Sequence, residues 1–305
     1  MSILVLGSIN TDLVIRGPRL PAPGETVLDG AFFQAPGGKG ANQAVAAARL
    51  ARSPVTFVAA VGDDPFGRAA LAALAQENLR TEFIQVVPGA PSGIALILVD
   101  RQGQNLISVA SGANMRLRRE IVRALPDEVF TVSRVFLASL ESPLDTVLAA
   151  LHRAKRAGLT TVVNPAPADL AFRDTGGMEA VDVLVPNESE AAALAERPVE
   201  TVEDAIAAGQ ALRERGVRAC IVTLGARGAV VVDETATVIP PVPVQAVDAT
   251  AAGDCFCGAL AVALSEGKSL VEAACWANQA AAISVGRVGA QPSLPRRGEV
   301  EVPAP

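Results

Sequence analysis

Gln245-Ala-Val-Asp248-Ala-Thr250-Ala251-Ala252-Gly253-Asp254-Cys255-Phe256-Cys257-Gly258-Ala259 decides how this chain is read. A β-compatible opening passes through small residues into an apolar segment, Phe256, Leu260, Val262 and Leu264, which predicts a buried helix starting near Gly253. Ala251, Ala252 and Gly253 present backbone N–H groups with little side-chain cover. A helix N-terminus carries unpaired donors and partial positive charge, so an anion could settle there. Asp254, at the mouth of that helix, would then accept a hydroxyl proton beside a bound phosphate. Capping is the commoner use of an aspartate at this position, and the stretch alone leaves both readings open.

Working outward, strand-like runs alternate with helical ones. Leu159 to Val163 precedes Asn164-Pro-Ala-Pro167, Val181 to Val185 precedes Pro186-Asn187-Glu-Ser-Glu190, and Cys220-Ile-Val-Thr223-Leu-Gly225 follows the amphipathic run Ala205 to Arg215. In the first half, Ile3 to Leu6, Val55 to Val61 and Arg134 to Ala138 are core-strand signals. This rhythm predicts an α/β fold, a three-layer, mainly parallel sheet with helices on both faces. Shorter alternating pieces, Leu13 to Ile15, Ala31 to Gln34, Glu82 to Val87, Ile94 to Val99 and Asn105 to Val109, interrupt it. They predict a small β-sheet lid, its strands inserted within about 12–36 and 82–110 of a single domain over 1–305. The outer face of that sheet could be buried in a homodimer, which would cover its unpaired edges.

Polar residues gather where the strands end. Asn10 and Asp12 stand beyond the first strand, where open α/β sheets place ligands, and together offer donors and acceptors to a polyol; a polar turn explains them as well. Gly37-Gly38-Lys39-Gly-Ala-Asn42-Gln43 opens an alanine-rich helix, with Lys39 and Asn42 about one turn apart. It lacks the GxxxxGK[ST] spacing of a Walker loop. Glu141 is either a sugar hydroxyl acceptor or an exposed helix-leading acid, and Asn187 and Glu190 either face phosphate and hydrated metal or simply cap a helix.

Composition excludes more than it selects. Among 305 residues, 32 acidic side chains outnumber 26 basic ones, giving a net charge of −6 and no advertisement of a nucleic-acid surface. No apolar run reaches the length of a membrane span, and the N-terminus does not read as a signal peptide. One histidine, His152, argues against histidine-centred hydrolysis. Four cysteines in apolar segments fit a reduced, cytoplasmic chain better than a zinc site. Gly7-Ser-Ile-Asn10 replaces the GxGxxG turn of a Rossmann dehydrogenase.

Gly7-Ser-Ile-Asn-Thr-Asp12, Pro23-Gly-Glu25, Gly37 to Gln43, Gly62-Asp-Asp64, Asn187 to Glu190, Thr223-Leu-Gly225, Gly228 and Asp248 to Asp254 occur together in the order found in ribokinase-like (PfkB-type) carbohydrate kinases. The chain resembles that family from Ile3 to about Pro295. The resemblance implies ATP-dependent phosphorylation of D-ribose at O5; kinases of deoxyribose, fructose or a nucleoside, and a non-catalytic sugar-binding regulator, are the alternatives. It implies Asp254 as base, with Ala251, Ala252 and Gly253 as anion hole, and sugar contacts from Asn10, Asp12, Gly38, Lys39, Asn42, Glu141 and Asp254. Nucleotide-side positions would be Asn187, Glu190, Thr223, Gly225, Ala226, Arg227, Gly228, Gly253 and Asn278. Magnesium would travel with the ATP, and potassium would sit in a loop of Asp248, Thr250, Ser284, Arg287, Gly289 and Ser293, in part through backbone oxygens. Cys255, Cys257 and Asn278 depart from the residues common in the family.

Overall fold

The alternating runs of the sequence become strands whose two faces feed two different cores. In β1 (Ser2–Leu6), Ile3 and Val5 point into one core while Leu4 and Leu6 point into the other. That is the period-2 geometry expected of a strand covered on both sides. The computed structural model describes residues 2–300; Met1 and 301–305, the ends of the expected domain, lie outside the described residues.

After β1 the chain forms β2 (Asn10–Arg16), β3 (Ala31–Gly37), β4 (Val55–Gly62), β5 (Leu79–Arg80), β6 (Ile84–Val87), β7 (Gly93–Val99) and β8 (Asn105–Ala110). The second half adds β9 (Ser133–Ser139), β10 (Thr160–Asn164), β11 (Val183–Leu184), β12 (Ala219–Thr223), β13 (Ala229–Val232) and β14 (Ala236–Ile239). The large sheet runs β14-β13-β12-β11-β10-β9-β1-β4-β5, with β6 also paired to β4. Its pairings are parallel except for the β12, β13 and β14 meander. One face is covered by the helices Lys39–Leu50, Ala252–Ser265 and Leu270–Val285, the other by Leu144–Arg156, Glu188–Ala195 and Val202–Glu214.

The small sheet has the order β3-β2-β7-β8. Here the structure departs from the sequence reading in two ways. The piece from 82 to 87 does not join this sheet: β6 lies parallel to β4, with Ile84 buried in the main core. Asn10 and Asp12 are not in a turn but on β2, two residues apart and so on one face, with Asn10 in register with Gly37 and Gly93. The stretch before the decisive helix is no strand either; the helix begins at Ala252. Among the described residues no helix is long and apolar enough to cross a membrane.

Candidate active site

The Ala252–Ser265 helix is buried along most of its length, including Cys255 and Cys257, because its residues are small or apolar all round. It crosses the Lys39–Leu50 helix at Gly258, where a Cβ would press on Ala46, on the Gln43 carbonyl and on the Ala47 amide. This close approach carries Asn42 and Gln43 up to Asp254. Asn42 Nδ2 donates to Asp254 Oδ2 at 2.9 Å, and Gln43 Nε2 donates to Asp254 Oδ1 at 3.0 Å.

Asp254 therefore does not cap its own helix. The N-cap is Ala251, with no side-chain capping bond, in the left-handed region at φ 61, ψ 13. A Cβ in that conformation costs roughly 1–2 kcal/mol, and here the turn aims successive amides at one spot, as anion-binding nests do. Of the three expected donors, the Ala252 N–H already bonds Ala249 O at 3.2 Å, while a Cβ built at Gly253 would meet only open space. That space belongs to a cleft of about 180 Å³ lined by Lys39, Asn164, Asn187, Glu190, Ala251 and Asp254, with Thr223, Ala252, Gly253 and Cys257 also on its wall.

Burial pushes the Asp254 carboxyl above its ordinary range, and Glu141 adds to this; Lys39 and the bonds from Asn42 and Gln43 oppose it. Lys39 is itself desolvated, but Asp254, Glu141 and Glu190 outweigh the burial and hold its ammonium above the usual value. Asp12 is pushed up to about 6, first by burial and then by Glu141 and Asp254, against the pull of Lys39. Burial, with Asp254 and Glu190 adding to it, pushes the Cys257 thiol well above its ordinary range and keeps it neutral.

The polyol side is acceptor-rich. Glu141 Oε2 accepts from the Ser8 hydroxyl, from Lys39 N at 3.2 Å and from Asn10 Nδ2 at 3.4 Å. No protein donor among the described residues reaches the Asp12 carboxylate, and Asn42 Oδ1 is buried without a partner. An unpaired buried acceptor costs on the order of 1–3 kcal/mol, so this pocket calls for a ligand rich in hydroxyl donors. Gly38, at φ 90, opens the Lys39 helix directly over Asn10, whose backbone N a Cβ there would strike.

Asn187 and Glu190 form a capping box on the Glu188–Ala195 helix: Asn187 Oδ1 accepts from Glu190 N at 2.8 Å, and Glu190 Oε2 accepts from Asn187 N at 2.9 Å. Capping and cleft-lining thus coexist in the same residues. Gly225, Ala226 and Arg227 make the turn after β12 and do not line that cleft; Arg227 is drawn to Glu188 and to Glu200 O at 2.6 Å. Gly228, at φ 87, fits where a Cβ would strike Ile239 O, and Asn278 Nδ2 donates to Pro240 O at 2.9 Å.

The two segments expected to hold a cation do meet. Asp248 Oδ1 accepts from Thr250 N at 2.9 Å and Oδ2 from Gly289 N at 2.9 Å, while Ser284 Oγ lies 2.7 Å from Ser293 Oγ. The Arg287 side chain turns away to Glu299. Among the described residues no cluster of three or more histidine, cysteine or acidic side chains could hold a metal. A loop of one carboxylate, hydroxyls and backbone oxygens suits a weakly hydrated monovalent ion better than a divalent one.

Sequence reasoning missed Asn114. It sits in the 3-10 turn Gly112–Arg116, accepts from Ile9 N at 2.9 Å and donates from Nδ2 to Ile9 O at 3.1 Å and Asn10 Oδ1 at 2.8 Å, fixing which end of the Asn10 amide faces Glu141. No local pattern betrays it, since its partners lie over a hundred positions away.

The model of the pfkB family of carbohydrate kinases matches residues 1–297. The chain belongs to that family. It is similar to ribokinase of Haemophilus influenzae, 40% identical over 299 residues that cover 98% of this chain and 96% of the relative. It is also similar to a deoxyribokinase of Salmonella typhi, 36% identical over 296 residues, 97% of this chain and 96% of the relative. The structure of Arabidopsis thaliana ribokinase complexed with ribose and ATP superposes with a TM-score of 0.86 at 31% identity, covering 98% of this chain and 96% of that one.

Proposed function

We propose that this chain transfers the γ-phosphoryl group of ATP to O5 of D-ribose, giving D-ribose 5-phosphate and ADP. The observation that carries the reading is the position of Asp254: a buried carboxylate reached by Asn42 and Gln43 on one side and standing one residue past Gly253, which faces the open cleft, on the other. Similarity to ribokinases over nearly the whole chain supports ribose as the sugar.

Asn10, Asp12, Asn42 and Glu141 would take the ribose hydroxyls, with Asp12 and Asn42 Oδ1 offering acceptors that no protein donor reaches and Gly38 and Lys39 closing over them. Asp254 accepts the proton from O5 as that oxygen bonds to the γ-phosphorus. The bond to the bridging oxygen breaks, and ADP leaves with its electron pair. Ala251, Ala252 and Gly253 surround the transferring group and hold its charge, helped by the Lys39 ammonium. A positioned base supplies roughly 10²–10⁴-fold and each well-aimed oxyanion donor about 10²–10³-fold. Magnesium bound to the nucleotide neutralises phosphate charge, and the cleft-facing Asn187 and Glu190 fit a role toward its waters. Thr223, Gly225, Ala226, Arg227, Gly228 and Asn278 would border the nucleoside. The Asp248, Thr250, Ser284, Arg287, Gly289 and Ser293 loop fits potassium, which would steady the amides behind it.

We assign the chain to the cytoplasm, where the free thiols of Cys220, Cys255, Cys257 and Cys275 stay reduced. The apolar face of the small sheet, with Phe32, Leu96 and Leu106 exposed, would pair with that of a second copy. Initial rates on equal concentrations of ribose, 2-deoxyribose, fructose and adenosine test the function. Ribose should be the best substrate; a clear preference for fructose or adenosine would reject the assignment, and a preference for deoxyribose would move it to the neighbouring activity that the Salmonella relative carries by name.

A further inference from the structure

Gln43 is completely buried, on a helix whose other buried residues are mostly small or apolar, Ala41, Ala44, Val45, Ala46 and Ala47 among them. Its orientation is dictated from a distance. The Val185 carbonyl can only accept, so the amide of Asn164 must turn Nδ2 toward it, at 2.8 Å. Asn164 Oδ1 then faces Gln43, which must answer with Nε2, at 3.1 Å. The second N–H of that same nitrogen falls on Asp254 Oδ1 at 3.0 Å. One main-chain carbonyl beside the nucleotide cleft thus fixes, through two amides, which group meets the carboxylate.

We infer that Gln43, oriented by Asn164, is a positioning residue that locks the rotation of the Asp254 carboxylate for proton transfer. The inference rests on the kinase reading above. It goes beyond sugar binding, because both donor contacts of Gln43 are spent on protein groups. Gln43 Oε1 is buried without a partner, so the residue is held there by the two bonds that Nε2 donates, to Asn164 and to Asp254. A free carboxylate would rotate about its last bond, and small misplacements of reacting groups cost rate steeply.

The groups around Asp254 stay in place when Gln43 is changed. They are Lys39 on the same helix as Gln43, Glu141 after β9, Asp12 on β2, Glu190 on the Glu188–Ala195 helix, and the neutral thiols of Cys255 and Cys257 on its own helix. The donor from Gln43 favours the ionised carboxylate, so its loss should raise the pH at which Asp254 becomes competent.

The test compares wild type, Gln43→Met, Asn164→Ala, the double variant and Asp254→Asn by single-turnover phosphorylation across pH, with ribose affinity and thermal midpoint measured alongside. Gln43→Met should fold with a somewhat lowered midpoint, since Asn164 Oδ1 and Asp254 Oδ1 lose a donor, and bind ribose within about threefold of wild type, since it loses no sugar contact. Its turnover should fall roughly 10-fold or more, and the acid limb of its rate profile should move up by about one unit or more. Asn164→Ala should shift both in the same direction, and the double variant should be no slower than Gln43→Met because the two act through one contact. A normal rate with an unmoved acid limb in Gln43→Met, or losses that add in the double variant, would overturn the inference. Should Gln43→Met not fold, a normal rate and unmoved limb in Asn164→Ala decide against it equally. Failure of the wild type to phosphorylate ribose would instead sink the kinase reading itself, so the two failures are distinguishable.

Discussion

Asn42 Nδ2 lies 2.9 Å from Asp254 Oδ2, joining the helix that faces the acceptor-rich pocket to the helix whose first turn faces the open cleft. Asn42 Oδ1 remains without a partner. One amide can therefore hold the carboxylate and still receive a sugar hydroxyl, which ties substrate recognition to the orientation of the base.

Gly38→Ala should show how tightly this region is built. The residue adopts φ 90, ψ 130, and its Cβ would run into the backbone of Ile9 and Asn10. A loss of about 1–3 kcal/mol in denaturant unfolding is expected, with weaker ribose binding because Asn10 is displaced. An unchanged unfolding midpoint would show that the turn tolerates a side chain.

Asp12 makes stability depend on pH in a defined direction. Its carboxyl is raised from 3.8 to about 6. Between those values the folded chain keeps a proton that the unfolded chain has released, so this group favours folding at low pH, and that contribution is lost as pH rises through 6. Asp12→Asn removes the term. The thermal midpoint of the variant, relative to wild type, should climb from pH 4 to pH 7; a constant difference would contradict the shared burial of Asp12 with Glu141 and Asp254.

A monovalent cation should raise turnover. Rates measured with a bulky organic counterion, at fixed magnesium and ionic strength, should increase on adding potassium, and Asp248→Ala should weaken the response by releasing Thr250 and Gly289. Equal rates with and without potassium would remove the ion from the account.

One face of the small sheet leaves Phe32 64%, Leu96 56% and Leu106 52% exposed. Such a patch in a single chain marks an interaction surface. Light scattering should give about twice the 31.2 kDa chain mass, and Leu106→Lys should return the monomer. A wild-type monomer at all concentrations would reject pairing through this face.

Much of this was legible in the residues because the relevant signals are local. The buried strands announce themselves as apolar runs, and the small residues before Asp254 mark a turn feeding a helix. What depends on distant partners was not legible. Whether Asn10 and Asp12 lie in a turn stayed open because Leu13 to Ile15 is too short to show that β2 starts at Asn10, a boundary set by pairing with Gly37 and Gly93. The alternation at 82–87 is the same for either sheet, and only β4 decides that β6 joins the larger one. Capping or catalysis at Asp254 turned on which way one side chain points. Gln43 did leave a trace, a long polar residue among alanines on a buried helix face, whereas Asn114 left none.

The most direct test of the central claim is single-turnover phosphorylation of ribose by Asp254→Asn, with ATP, magnesium and potassium saturating. The substitution sets an amide against the donors of Asn42 and Gln43, so some loss of stability is expected and rates must be compared per folded molecule. If Asp254 takes the O5 proton, ribose affinity should change modestly while the chemical step slows by roughly 10²-fold or more. A near-normal single-turnover rate in the folded variant would contradict the account.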